Sequence, residues 1–278
     1  ENNLVGHLLP GLSPKGVPEN LKGSVIPFRY NSIEELESIV DKNDIGVIKM
    51  EVSRNERPKE NFLTKVRNIA NKKNIILIFD ECSSGFRESN GGLHKIYEVE
   101  PDMAIFGKAL GNGYAINAVI GRKEVMDIAQ STFISSTFWT ERIGPTAALK
   151  TLEVMSKINS WKKITKTGIA IEDKWKILGK KYQLPIIVSG LTSMTRFIIE
   201  SKNWLKYKTY ITQEMLKVNI LASNVIYVCT EHSESELNVY FEVLESIFKL
   251  ISNCEDNDIP IVVFVDGPVF HDVFRSLI

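Results

Sequence analysis

The sequence predicts an α/β protein in two parts, a large domain with a mainly parallel sheet over residues 1–157 and a smaller α+β domain over residues 158–278. Three observations predict it. Between Ile45 and Gly121, short apolar runs rich in β-branched residues alternate with amphipathic stretches of helical period. After Gly144-Pro145 long helical segments take over, with brief strands between them. The chain has 278 residues, 44% hydrophobic and 24% charged, the balance of a globular protein long enough to bury a sizeable core.

Residues up to about Pro27 include Pro10-Gly11, Pro14, Gly16 and Pro18, show little periodicity, and read as a surface connection. Ser32 followed by Glu35 is a capping-box pattern that opens a helix running to about Val40. Ile45 to Met50, ending at Glu51, reads as a buried strand. The next helix, from about Glu60 to Asn71, sets Phe62, Leu63, Val66, Ile69 and Ala70 on one face. Ile75-Ile76-Leu77-Ile78-Phe79 is continuously apolar, as a parallel strand covered on both faces would be, and it stops at Asp80-Glu81. Met103 to Phe106 is another strand, stopping at Gly107-Lys108, and Ala118 to Gly121 is a third, leading into a helix from Lys123 to Gln130. Thr146 to Lys157 and Trp161 to about Tyr182 are helical. Strands at Ile186 to Val188, Met194 to Ile199 and Val225 to Val228 then alternate with helices near Thr209 to Lys217 and Glu234 to Ile251.

Lys and Arg total 34, and Asp and Glu total 34, so the formal net charge is zero. A nucleic-acid partner held by broad electrostatics is not expected, because such chains carry a basic excess. Cys82, Cys229 and Cys254 are far apart and form no zinc-binding spacing, which fits a reducing, cytoplasmic setting. The longest apolar runs are too short to span a bilayer, so no membrane partner is expected. No secretory signal opens the chain, which begins at Glu1.

Asp80 stands where a buried strand ends, and ligands of open α/β sheets bind outside the carboxyl ends of the strands. It either touches a ligand or caps the following turn. Glu81 beside it reads as a structural partner. Lys108 ends the next strand among Gly107, Ala109, Gly111 and Gly113. It is either a solvated lysine or a desolvated amine able to attack a carbonyl. The pair, 108 − 80 = 28 positions apart, suits pyridoxal phosphate. That cofactor needs a carboxylate to keep its ring nitrogen protonated and a lysine to hold it as an aldimine.

The blocks Ile78-Phe79-Asp80-Glu81-Cys82-Ser83-Ser84-Gly85-Phe86-Arg87, Pro101-Asp102-Met103 and Gly107-Lys108-Ala109-Leu110-Gly111-Asn112-Gly113-Tyr114 resemble the class III aminotransferases. The Gly-Phe-Arg ending is most similar to the branch that contains glutamate-1-semialdehyde aminomutase. Ser136-Thr137-Phe138, Gly190 to Phe197 and Thr230-Glu231-His232-Ser233 extend the resemblance along most of the chain.

The resemblance implies fold type I, with the chain covering part of the large domain and a smaller C-terminal domain. Lys108 would be the aldimine lysine and Asp80 the partner of the pyridine nitrogen. Cys82 stands where the family usually has a valine packed on the ring, and Thr137 matches the threonine that reaches the cofactor phosphate of the neighbouring subunit. A homodimer follows from that contact. Small amines and carbonyl compounds would be the substrates. His232 reads as structural, and His7, His94 and His271 carry no signal.

Two departures stand out. The chain looks like the C-terminal two-thirds of such an enzyme, without the Gly-Ser/Thr phosphate loop; Gly11-Leu12-Ser13 and Gly23-Ser24 do not supply it. Asn224 lies where the aminomutases carry a glutamate, which favours an ordinary transaminase over the aminomutase. The rival of another class is a catalytically incomplete, dimer-forming relative. A dinucleotide-binding oxidoreductase is rejected, because Gly111-Asn112-Gly113-Tyr114-Ala115-Ile116 lacks the third glycine of that fingerprint.

Overall fold

The computed structural model describes residues 16–53 and 55–270. The readings on Pro10-Gly11, Pro14, Gly11-Leu12-Ser13, His7 and His271 lie outside the described residues. The surface connection from Gly16 to Pro27 is largely exposed and holds one short 3-10 turn, Glu19–Leu21.

Four strands, β1 (Val47–Glu51), β2 (Ile76–Asp80), β3 (Met103–Phe106) and β4 (Ala118–Gly121), form one sheet in that order. The first three are parallel and β4 is antiparallel to β3. Helices α1 (Ile33–Lys42) and α2 (Phe62–Lys73) supply Leu36, Val40, Phe62, Leu63, Val66 and Ala70 to a core shared with Ile48, Met50, Leu77 and Phe79 of the sheet. The apolar run of β2 led to the expectation of cover on both faces. Instead, burial alternates along it: Leu77 and Phe79 are buried, whereas Ile76, Ile78 and Asp80 are partly exposed. The same open face carries Val47, Lys49 and Glu51 of β1, in register with Ile76, Ile78 and Asp80. Period-two side-chain geometry therefore puts Lys49 and Asp80 on one surface.

The Ser32–Glu35 capping box does not form. Ser32 is the N-cap residue but makes no side-chain cap, and Glu35 instead accepts hydrogen bonds from the backbone and Nε of Arg29. A charged guanidinium is the stronger donor. The helix expected from Lys123 to Gln130 divides into α3 (Lys123–Met126) and a 3-10 turn, Asp127–Ser131.

Two long helices follow, α4 (Ile143–Ile158) and α5 (Ser160–Lys181), joined through Asn159 in the left-handed region at φ 51°. The antiparallel strands β5 (Ile186–Leu191), β6 (Met194–Ile199) and β7 (Val225–Tyr227) make a second sheet. With α5, α6 (Trp204–Lys217) and α7 (Glu234–Asp256) it encloses Trp175, Phe197, Tyr207, Ile211, Leu244 and Phe248. Trp175 Nε1 satisfies itself on the Tyr240 hydroxyl at 3.0 Å, so the indole is buried without an orphan donor. Helix α7 has the capping box that α1 lacks, formed by Ser233 and Glu236. Leu191 and Met194 of the second sheet pack into the core of the first part. Glu88 adds a polar link, accepting from Arg57 at 2.9 Å and from the Ser193 N–H at 3.0 Å.

Candidate active site

Parallel pairing of β2 with β3 sets Asp80 opposite Ile105, three residues before Lys108. The ends of two neighbouring strands thus bring the predicted carboxylate and amine to one edge of the sheet. Asp80 Oδ1 accepts the Cys82 backbone N–H at 3.1 Å, and Oδ2 accepts from Lys49 Nζ at 2.8 Å. Burial pushes the Asp80 pKa up, but the hydrogen bonds from Lys49 and Cys82 outweigh it and hold the carboxyl below the ordinary carboxylate range. Lys49 was not singled out in the sequence, although a charge inside the run Val47-Ile48-Lys49-Met50 was the available signal.

Lys108 lies in a 3-10 turn, Lys108–Leu110, with φ 42°, a left-handed conformation uncommon for a long side chain. Its Nζ donates to the Ser83 hydroxyl at 2.8 Å. The Cys82 thiol sits between the two charged groups. Burial raises its pKa, its hydrogen bond to Asp80 and that charge raise it further, and Lys108 and Lys49 pull it back. A Cβ at Gly107 would lie 2.4 Å from the Asn117 amide oxygen, so that side chain would have to shift.

Lys108 opens onto a cavity of about 1080 Å³, lined also by Arg87, Asn117, Thr151, Met155 and Thr230. Asp80 and Cys82 are not among its lining residues, so Lys108 connects the sheet edge to the cavity. The cavity lies between the turns that follow β2 and β3, helix α4, the start of α5 and the segment after β7. Thr137 is elsewhere, in an exposed turn between the 3-10 turn and α4, among the exposed Phe133, Phe138 and Trp139.

Behind the site, Glu81 is fully buried and accepts from the His94 backbone N–H at 2.9 Å, from His94 Nδ1 at 2.8 Å and from the Ser84 hydroxyl. Glu81 is the structural partner expected, and His94, which carried no signal in the sequence, is its main companion. The His232 ring accepts the Cys229 N–H at 3.3 Å, a turn contact in keeping with a structural histidine. Asn224 is buried and donates to the Phe197 carbonyl at 3.0 Å inside the second sheet; it does not line the cavity.

Comparison with known proteins gives the family and the fold. The family described as aminotransferase class-III matches residues 30–232. The chain belongs to the class III aminotransferases. A 3-aminobutyryl-CoA aminotransferase of Cloacimonas acidaminovorans (strain Evry) is 30% identical over 243 residues, 82% of this chain and 59% of that protein. A glutamate-1-semialdehyde 2,1-aminomutase of Nitrosopumilus maritimus (strain SCM1) is 28% identical over 266 residues, 87% of this chain and 62% of that protein.

Among solved structures, FumI of Sphingopyxis sp. MTA144, in its pyridoxal-phosphate internal aldimine form, superposes with a TM-score of 0.79 at 18% identity, covering 87% of this chain and 61% of that one. The fold is therefore that of the fold type I transaminases. This class III chain spans about 60% of the length of the relatives it matches. No helix among the described residues is long and apolar enough to cross a membrane.

Proposed function

We propose that this chain forms the cofactor-lysine and C-terminal portion of a pyridoxal-phosphate-dependent aminotransferase, with Lys108 as the cofactor and catalytic lysine. The observation that carries the reading is the meeting of Asp80, Cys82 and Lys108 at the ends of β2 and β3. These residues suit the ring end of the cofactor. Asp80 is held ionised to accept a hydrogen bond from a protonated ring nitrogen, and Cys82 presents a small, soft surface for ring contact. When bound, pyridoxal phosphate supplies an electron sink for the substrate carbon that bears nitrogen.

Lys108 Nζ takes the proton from that substrate carbon and later returns one, acting as general base and then acid. The Ser83 hydroxyl, 2.8 Å from Nζ, steers the amine between the sheet edge and the cavity. Amines or amino acids and carbonyl compounds are the proposed substrates. The aminomutase reading keeps support from relatives such as that of Nitrosopumilus maritimus. Asn224, whose amide donates to the Phe197 carbonyl inside the second sheet, supplies no carboxylate there and favours the ordinary transaminase.

The division into parts over 1–157 and 158–278 is supported by the turn at Asn159 between α4 and α5. A homodimer is supported by the exposed apolar cluster around Thr137, where Phe133 is 98%, Phe138 76% and Trp139 67% exposed. In it, Thr137 would reach the phosphate of the cofactor bound by the other copy. Three free cysteines support a cytoplasmic location.

The test is to mix the chain with pyridoxal phosphate, reduce with borohydride and map the digest by mass spectrometry. A phosphopyridoxyl adduct on Lys108 alone, absent in Lys108→Ala, is the expected result. Scattered labelling across surface lysines would reject the reading.

A further inference from the structure

Arg87 is a cation without an anionic partner among the described residues. Its Nε donates to the Ser83 carbonyl at 2.7 Å, and its guanidinium stands 5.6 Å from the centre of the Tyr227 ring. Neither contact occupies the two terminal NH₂ groups. Arg57 and Arg67 differ: they are paired with Glu88 at 2.9 Å and with Asp102 at 3.0 Å. Partial burial lowers the Arg87 pKa, opposed only by Tyr227, so this cation is partly desolvated without a counter-charge beside it.

Its position is enforced. Phe86 immediately before it has φ 59°, a conformation that a bulky residue adopts only where its surroundings impose it. The Phe86 ring packs on Phe106 at 5.2 Å, and its N–H donates to the Gly91 carbonyl at 2.8 Å. Gly85 permits the turn, since a Cβ there would lie 2.6 Å from the Phe106 ring and 2.7 Å from the Glu81 carbonyl oxygen.

Arg87 also lines the cavity onto which Lys108 opens. One residue tethers both cations, Ser83 taking Lys108 Nζ on its hydroxyl and Arg87 Nε on its carbonyl. Where an arginine serves only the fold, an acidic side chain commonly pairs with it, as at Arg57 and Arg67. A fork of free donors facing a cavity instead matches a planar carboxylate.

We infer that Arg87 is the carboxylate-binding residue of the substrate site. The substrate is then an amine or carbonyl compound bearing a carboxylate, which Arg87 holds while the reacting carbon lies at Lys108. The inference rests on the aminotransferase reading for the role of Lys108, but the carboxylate subsite can be tested without it.

The experiment compares binding of 4-oxopentanoate with that of its neutral amide, 4-oxopentanamide, by isothermal titration calorimetry. It uses wild type, Arg87→Met and Arg87→Lys, with circular dichroism to verify the fold of each. Wild type should favour the carboxylate by about tenfold or more, the value of a charge-assisted hydrogen bond. Arg87→Met should lose the preference, and Arg87→Lys should keep part of it. Equal binding of the two ligands by wild type, or a preference that survives in Arg87→Met, would overturn the inference.

Borohydride trapping on wild type and Arg87→Met separates this from the cofactor reading. Equal labelling of Lys108 in both is expected. Label lost only in Arg87→Met would mean that Arg87 serves the cofactor's phosphate, which also overturns the inference. Label absent from both would reject the cofactor reading, with the calorimetric comparison still deciding the role of Arg87.

Discussion

Lys49 Nζ lies 2.8 Å from Asp80 Oδ2, so the carboxylate at the edge of the first sheet has a cation on one oxygen and the Cys82 N–H on the other. Burial works against ionisation here, and these two donors reverse the balance. Because the folded pKa lies below the unfolded value of about 3.9, the stabilisation is present above that value. It is lost as pH falls through the lower folded pKa. Lys49→Met should therefore bring acid unfolding to a higher pH, followed by far-ultraviolet circular dichroism. At pH 8 the variant should differ from wild type by less than about 1 kcal/mol, as for other half-exposed pairs. Coincident acid transitions would show that the pair contributes nothing.

Asp80→Asn keeps the shape of the side chain but removes the charge that favours a protonated ring nitrogen. Cofactor affinity should fall by about ten- to a hundredfold, read from the visible absorbance of the chain titrated with pyridoxal phosphate. Unchanged affinity would remove Asp80 from the site.

Glu81 is buried with three donors aimed at it, two of them from His94. Glu81→Ala strands all three, so urea denaturation should show a loss of about 3 kcal/mol. A loss under about 1 kcal/mol would mean that water replaces the carboxylate.

Gly168 lies in α5 against the backbone carbonyl of Thr192, and a methyl group there would overlap it. Gly168→Ala should cost about 1–3 kcal/mol despite the higher helix propensity of alanine. Gly46→Ala, which meets open space, should be neutral or slightly stabilising. The contrast is measurable by thermal unfolding, and equal effects at both positions would contradict the packing described.

Phe138 and Trp139 lie one and two residues beyond Thr137 in the exposed apolar cluster. Wild type should sediment as a dimer and the double variant Phe138→Lys, Trp139→Lys as a monomer. Identical sedimentation of the two would place the interface elsewhere.

Much of the fold was legible because its signals are local. Where an apolar run stops at Asp80, or at Gly107-Lys108, the strand ends, and the sheet rule then puts those residues at a ligand-binding edge. The same local reasoning failed at Glu35, whose better partner Arg29 lies outside the helix.

By itself, the sequence determined the order of elements, the family, and the pairing of Asp80 with Lys108 as the residues of interest. Only the tertiary structure decided what each of them touches. Lys49 reaches Asp80 across 31 positions because β1 and β2 pair in parallel register, and Arg87 meets Tyr227 because the second sheet packs beside the first. Side-chain periodicity is written along the chain, whereas register and packing arise from contacts between segments that no local pattern specifies.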